Sequence, residues 1–155
     1  MALPPFQLAL DQHRDSLARF LAATVGPHEA DDCLQETLIA ALRAYPRLRE
    51  GSNVRAWLFT IARNKALDEH RARARRPVPV AEALEPGGAV ALADEPDEEL
   101  WSAVRSLPPK QRAAVVLRFV NDFSHRDVAA VLDCSEDAAR RSLHEGLTRL
   151  RREMA

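Results

Sequence analysis

Cysteine, glycine and long apolar runs are all scarce in this chain, and each scarcity removes a class of protein. Only Cys33 and Cys134 are present, far apart, with no CxxC spacing and no histidine at metal-ligand spacing. That arithmetic argues against a disulfide framework and against a zinc site, and it leaves reduced thiols in a cytosolic protein as the plain expectation. No run of about 18 apolar residues exists, so no membrane insertion is expected. The N-terminus, MALPPFQLALDQHRDS, lacks both a basic flank and a small-residue cleavage site, which argues against secretion. The five glycines form no phosphate-cradling loop, and no His/Cys/Asp constellation suits hydrolysis. A small hydrolase using the acids of residues 29–36 therefore has nothing to raise a pKa or hold a substrate. No catalytic residue, metal or cofactor is expected.

Charge is present, and it is segregated. The formal net charge is −1, but residues 1–36 carry −4, residues 37–76 carry +7, residues 77–100 carry −7 and residues 101–155 carry +3. Alternating blocks of this size suggest separate surfaces with separate partners, because a basic block attracts phosphates and an acidic one repels them.

The 155 residues suffice for one ordinary domain or two small ones. Residues 77–100, PVPVAEALEPGGAVALADEPDEEL, hold four prolines, a Gly-Gly pair and seven acids with no base. Missing backbone donors and mutual repulsion disfavour a packed element there, so the segment reads as an acidic linker between domains at 1–76 and 101–155. Before it, a helix is expected from about Pro5 to Val25, with Leu10, Leu17, Phe20 and Leu21 on one side. Gly26-Pro27 breaks it. A second follows with a stripe of Ala30, Cys33, Leu34, Thr37, Leu38, Ala41, Leu42 and Tyr45, stopped by Pro46. Ser52-Asn53 offer N-caps for a third, burying Val54, Trp57, Leu58, Ile61 and Ala62. After the linker, Leu100, Trp101, Val104 and Leu107 suggest one helix and Lys110 to Val120 another. Ser124 with Asp127 resembles a capping box for a short helix, Asp133-Cys134 makes a turn, and Ser135 caps the last helix. No strand-like alternation appears. The expected fold is all-α, two small helical domains with a C-terminal helix-turn-helix.

Three surfaces stand out. Asp32, Gln35, Glu36 and Ile39 share the side of the second helix opposite its apolar stripe, either as a solvated acidic face or as a docking face for a partner. Arg63, Lys65, Arg71, Arg73, Arg75 and Arg76 outnumber Asp68 and Glu69 at the end of the third helix, more than its dipole needs, which suits phosphate contact. The preceding polar loop, Arg49-Glu50-Gly51-Ser52-Asn53, could hold an unstacked base. Trp57, at helical spacing with Leu58 and Ile61, reads more as core than as a stacking platform. In the last helix, Arg140, Arg141 and His144 leave the apolar line Ala139, Leu143, Leu147 and Leu150, which fits major-groove docking as well as a structural helical hairpin.

The runs D-x-x-Q-E-T at Asp32, Gln35, Glu36 and Thr37, A-W-L-x-x-I-A-R-N from Ala56 to Asn64, L-P-x-x-Q-R-x-x-x-x-L-R from Leu107 to Arg118, and D-V-A…L-x-C-S ending at Ser135 occur in this order. In this the chain resembles the extracytoplasmic-function (group 4) sigma factors of bacterial RNA polymerase, over nearly its whole length apart from the linker. The resemblance implies a cytoplasmic protein that binds core RNA polymerase and directs promoter recognition and transcription initiation. It assigns Asp32, Gln35 and Glu36 to the β′ clamp helices. It gives Arg49, Ser52, Asn53, Arg63, Asn64, Lys65, Arg71, Arg73, Arg75 and Arg76 to the downstream promoter element, with a flipped base held near Arg49 to Asn53. Arg126, Ser135, Arg140, Arg141 and His144 fall to the upstream element, beside a contact with the β flap. It also implies an anti-sigma factor as partner. The last helix departs from the family, whose members usually carry Arg or Lys where this chain has Ser142, Glu145 and Leu147; Gly146 adds a mid-helix cost of about 1 kcal/mol against alanine. Those departures keep a second reading open, a sigma-like mimic that binds an anti-sigma factor or polymerase without selecting promoters.

Overall fold

The computed structural model describes residues 2–75 and 97–155. Among these residues seven α-helices and one short 3-10 turn occur, and no strand. The N-terminal unit contains α1 (Phe6–Val25), α2 (Pro27–Ala44), the turn Tyr45–Arg47 and α3 (Val54–Arg75). The C-terminal unit contains α4 (Glu98–Arg105), α5 (Pro109–Phe119), α6 (His125–Leu132) and α7 (Glu136–Met154). The residues expected to form the acidic linker lie mostly outside the described ones. Its last part does not behave as a linker: Asp97 caps α4 by accepting from the Glu99 N–H, and the helix begins at Glu98. An aspartate cap followed by two acids in the first turn is a strong helix start, and it outweighs the charge repulsion that suggested an open chain.

Local chemistry explains most boundaries. Gly26, at φ +94°, turns the chain between α1 and α2, and Pro27 opens α2 where its missing N–H costs nothing. Asn53 caps α3, its Oδ1 accepting from the Ala56 N–H at 3.1 Å. The other expected cap, Ser52, instead donates to the Arg49 carbonyl at 2.6 Å and closes the loop on itself. Ser124 and Ser135 cap α6 and α7 by accepting from the Asp127 and Ala138 N–H groups, each at 3.1 Å. The reciprocal half of the Ser124 capping box is diverted, because the Asp127 carboxylate accepts from the Asn53 amide instead, at 3.3 Å. Asp133 stops α6 in the left-handed region at φ 54°, a conformation that a short polar side chain tolerates.

Leu17, Phe20, Leu21, Leu58 and Phe59 fill the N-terminal core, and Leu107, Val116, Leu117 and Val131 the C-terminal one. Several members of the expected stripes fall short: Leu10, Leu38, Tyr45, Val54 and Ile61 are only half-buried, and Leu42 is 58% exposed. Trp57 is half-buried, its ring 5.9 Å from Tyr45, so it packs at the edge of the core.

The two cores are continuous. Phe123, in the loop between α5 and α6, is fully buried, its ring 4.8 Å from Phe59, which stands 5.5 Å from Phe20. Both ring pairs meet edge-on, a geometry worth about 0.5–1.5 kcal/mol beyond area burial. Around them Asn121 donates to the Ser16 carbonyl at 2.8 Å and to its hydroxyl at 2.9 Å. Arg55 lies 3.7 Å over the Phe123 ring and donates to the Asn121 carbonyl at 2.9 Å. One helix-turn-helix loop therefore plugs into the N-terminal bundle.

Gly146 has a packing reason. A Cβ there would stand 2.9 Å from Val115 Cγ2 and 3.3 Å from the Gln111 carbonyl oxygen, so the absent side chain lets α5 and α7 approach closely. Val115 is stiff at χ1 and cannot easily yield. Gly146→Ala is therefore expected to destabilise by about 1 kcal/mol on balance, with overpacking of about 1–3 kcal/mol outweighing about 1 kcal/mol of helix propensity. Urea denaturation of the full chain measures the sign; a more stable variant would contradict the close approach.

Candidate polymerase and promoter interface

The acidic face stands where the helical spacing put it. Asp32, Gln35 and Glu36 are exposed on α2, with the buried Cys33, Leu34 and Thr37 turned inward. Beside them Ile39 is 50% exposed and Leu42 58%. Two large apolar side chains beside three polar ones make a mixed surface, apolar and charged in one patch. Behind this face the Cys33 thiol is pushed up to about 12 by burial, and the carboxylates of Glu69, Glu36, Glu29 and Asp32 add to the effect. It stays protonated and unreactive at neutral pH.

The basic end of α3 divides into two sets. Asn64, Arg71 and Arg75 are exposed and Lys65 is half-buried, with Arg71 3.9 Å from Asp68, an open pair that leaves its charge available. Arg63 and Arg73 are tied into the protein. Arg73 stands 3.8 Å from Glu29 and donates to the Val25 carbonyl at 3.3 Å. Arg63 is half-buried with its Nε enclosed and unpartnered, and burial holds its guanidinium below the ordinary range. Arg76 lies outside the described residues. Alanine at Arg71 and at Arg75 should each flatten the salt dependence of DNA binding by about 0.9 in log–log slope, without changing sequence preference. A slope equal to wild type in the double variant, read by anisotropy across a salt series, would remove both from the phosphate contacts.

In the loop, Arg49 and Asn53 are exposed and Ser52 half-buried. In the helix-turn-helix, Arg126, Ser135, Arg140, Arg141 and His144 are all exposed. Ser135 is occupied as the cap of α7, and Arg140 stands 3.8 Å from Glu136 in an exposed pair one turn away. The three departures in α7 face different neighbours. Ser142 and Glu145 line a cleft of about 460 Å³ with Arg63, Leu67, Arg71 and Lys110, and Gln111 donates to Glu145 at 3.3 Å. Leu147 instead lines an apolar groove of about 210 Å³ with Trp101, Val104, Val115, Phe119 and Leu150. Phe119 is 63% exposed there, and the buried Trp101 Nε1 has no hydrogen-bond partner.

Spacing arguments missed the residues along the seam: Arg55, His70, Arg112, Asn121 and Phe123. Arg112 is buried, with Nη1 donating to the Arg105 and Leu107 carbonyls at 3.0 Å each, and burial, aided by the nearby Arg63, pushes its guanidinium down to about 10. His70 Nε2 donates to the Thr24 carbonyl at 2.7 Å, since a carbonyl can only accept. Burial first, then the charge of Arg112, hold His70 below its ordinary value, against the pull of that hydrogen bond; Arg73 and Arg105 add to the lowering. A base with a lowered folded pKa binds fewer protons folded than unfolded, so its contribution is present above the unfolded value and is lost as pH falls below it. Stability should therefore decline as pH drops below about 6.5, the unperturbed histidine value, and the decline should be shallower in His70→Gln. Identical pH profiles for the two proteins would contradict this. An aromatic, Phe123, set in the polar turn between Asn121-Asp122 and the Ser124 cap, is the signal of the seam in the sequence.

These are the features of a two-unit helical transcription factor, with an exposed acidic helix face, a basic helix behind a polar loop and a helix-turn-helix. The family model for Sigma-70 region 2 matches residues 9–76, and that for Sigma-70 region 4 matches residues 97–150. The ECF RNA polymerase sigma factor EcfG of Rhodopseudomonas palustris (strain TIE-1) is 37% identical over 113 residues, covering 68% of this chain and 60% of that relative. The ECF RNA polymerase sigma-E factor of Escherichia coli (strain K12) is 31% identical over 144 residues, covering 83% of this chain and 75% of that protein. Among solved structures, the sigma factor RpoE in complex with the anti-sigma factor NepR from Bartonella quintana is similar at a TM-score of 0.74 and 27% identity, over 96% of each chain. CnrH in complex with the cytosolic domain of CnrY, at a TM-score of 0.73 and 23% identity, shares the fold. The chain belongs to the extracytoplasmic-function sigma factors.

Proposed function

We propose that this chain binds core RNA polymerase through Asp32, Gln35 and Glu36 and directs it to a set of promoters. The observation that carries the reading is the exposed, partly apolar acidic face of α2, in one chain with a basic α3 and a helix-turn-helix. The acids dock on the β′ clamp helices. Arg49, Ser52 and Asn53 take the downstream element, with Asn64, Lys65, Arg71 and Arg75 along its phosphates. Arg126, Arg140, Arg141 and His144 meet the upstream element, in the manner of a recognition helix. The apolar groove at Trp101, Phe119 and Leu147 suits an apolar helix of the β flap or of an anti-sigma factor, and the unpartnered Trp101 N–H favours an occupant bringing an acceptor. The chain does no covalent chemistry itself; it acts where the polymerase acts, in the cytoplasm. Among the described residues, no helix is long and apolar enough to cross a membrane.

Run-off transcription with purified core polymerase on genomic fragments tests the reading. Discrete transcripts that depend on the chain support it; their absence on every fragment overturns it. The mimic reading rests on Ser142, Glu145 and Leu147. Ser142 and Glu145 line the cleft beside α3, where Glu145 accepts from Gln111, and Leu147 lines the apolar groove, so none of the three requires a lost DNA function. Footprinting separates the two: protection of an upstream element, lost in Arg140→Ala and Arg141→Ala, belongs to a promoter reader.

A further inference from the structure

Two neighbours in α7, Glu145 and Gly146, act together with α5. Because Gly146 carries no side chain, α5 comes so close that an added Cβ would stand 3.3 Å from both the Cβ and the carbonyl oxygen of Gln111. That approach sets Gln111 beside α7, where its Nε2 donates to Glu145 Oε2 at 3.3 Å. Glu145 is exposed, one turn on from Arg141 and next to His144, on the side turned away from the buried Ala139, Leu143, Gly146 and Leu150. A carboxylate on that side costs affinity by itself, since it repels DNA phosphates. Arg149 and Arg152 offset the cost. With Glu145, Gln111, His144 and Thr148 they line a cleft of about 380 Å³, and neither arginine has an ion-pair partner among the described residues.

The carboxylate is therefore held in place, compensated in charge and turned outward beside residues assigned to the upstream element. Gln111 takes one of its oxygens and leaves the other to accept, and an ionised carboxylate can only accept. In the major groove guanine N7 and O6 and thymine O4 are acceptors and would repel it. Adenine offers its amine only beside the N7 acceptor, whereas cytosine offers an amine with no acceptor of its own. We infer that Glu145, positioned by Gln111, is a specificity-determining residue that reads a cytosine amine in the upstream element. This deepens the promoter reading and rests on it. The glutamate then adds a base preference, and the two arginines supply the attraction to the backbone.

The test is a selection of duplexes from a random library by core polymerase loaded with the full chain, run for wild type, Glu145→Ala, Glu145→Gln and Gln111→Ala. Wild type should enrich a motif with one position held as cytosine, preferred about 5- to 150-fold over other bases. Glu145→Ala should lose the preference at that position and keep it at every other. Glu145→Gln should move it to adenine, whose N6 and N7 match a glutamine amide. Gln111→Ala should weaken the cytosine preference without moving it to another base. An unchanged motif in Glu145→Ala overturns the inference, as does a loss spread evenly over all positions, which would make Glu145 a prop for the helix. A cytosine preference undiminished in Gln111→Ala overturns the positioning role. A wild type that enriches nothing and yields no run-off transcript fails the promoter reading itself. One that initiates transcription from a motif indifferent to Glu145 removes this inference alone.

Discussion

Phe123→Ala is expected to destabilise the chain by about 3–5 kcal/mol, the range for deleting a large buried aromatic side chain. The ring is fully enclosed, meets Phe59 at 4.8 Å, and lies under the Arg55 guanidinium at 3.7 Å. Its loss leaves a cavity where the two units meet and strips Arg55 of its cover. Against a total of about 5–15 kcal/mol, such a loss takes a large share of the stability of a domain this size. It should also end the coupling between units: wild type should unfold in one transition, and Phe123→Ala in two, with α4–α7 melting apart from α1–α3. Denaturation followed by tryptophan fluorescence reports both sides, because Trp57 lies in the first unit and Trp101 in the second. A loss below about 1 kcal/mol with a single unchanged transition would show that Phe123 does not join the cores.

Asp32→Lys with Glu36→Lys is expected to weaken binding to core polymerase by about 3 kcal/mol, more than a hundredfold, within the 2–5 kcal/mol seen when interface charge pairs are broken. Both side chains are exposed and one helical turn apart, so the substitutions should change the fold's own stability by less than about 0.5 kcal/mol. The apolar neighbours supply a control. Ile39→Ala and Leu42→Ala remove exposed surface without altering charge, and each should weaken docking while leaving the salt dependence of binding intact. Titration of labelled core enzyme measures all four changes. Wild-type affinity in the double lysine variant would remove the acidic face from the polymerase interface.

Most of what depends on one helix and its immediate neighbours was legible in the sequence, the Asp97 cap of α4 excepted, because its acids read as part of the linker. The acidic face needed only the three-and-four spacing of Asp32, Gln35, Glu36 and Ile39. The caps at Asn53, Ser124 and Ser135 needed only the residue type and the position before an apolar run. The helix-turn-helix needed the Ser124 and Ser135 caps with the Asp133 turn between them. Such features hold whatever the rest of the chain does, because a helix dictates which residues share a side and which terminal N–H groups lack partners.

The tertiary structure decided everything that pairs residues far apart. Arg63 and Arg73 look like their neighbours Arg71 and Arg75 in the sequence, yet Arg63 is half-buried with its Nε enclosed, and Arg73, though exposed, reaches Glu29 and the Val25 carbonyl on the other helices. Gly146 reads as a flaw in a helix until Val115 is found where its side chain would be. Asp127 reads as half of a capping box until Asn53, from the other unit, takes its carboxylate. Above all, the acidic stretch between the domains suggested two bodies, and Phe123 makes their cores continuous. A sequence gives each side chain's chemistry and its place on its own helix; which charges stay free is settled only when helices pack and one group's partner arrives from a distant part of the chain.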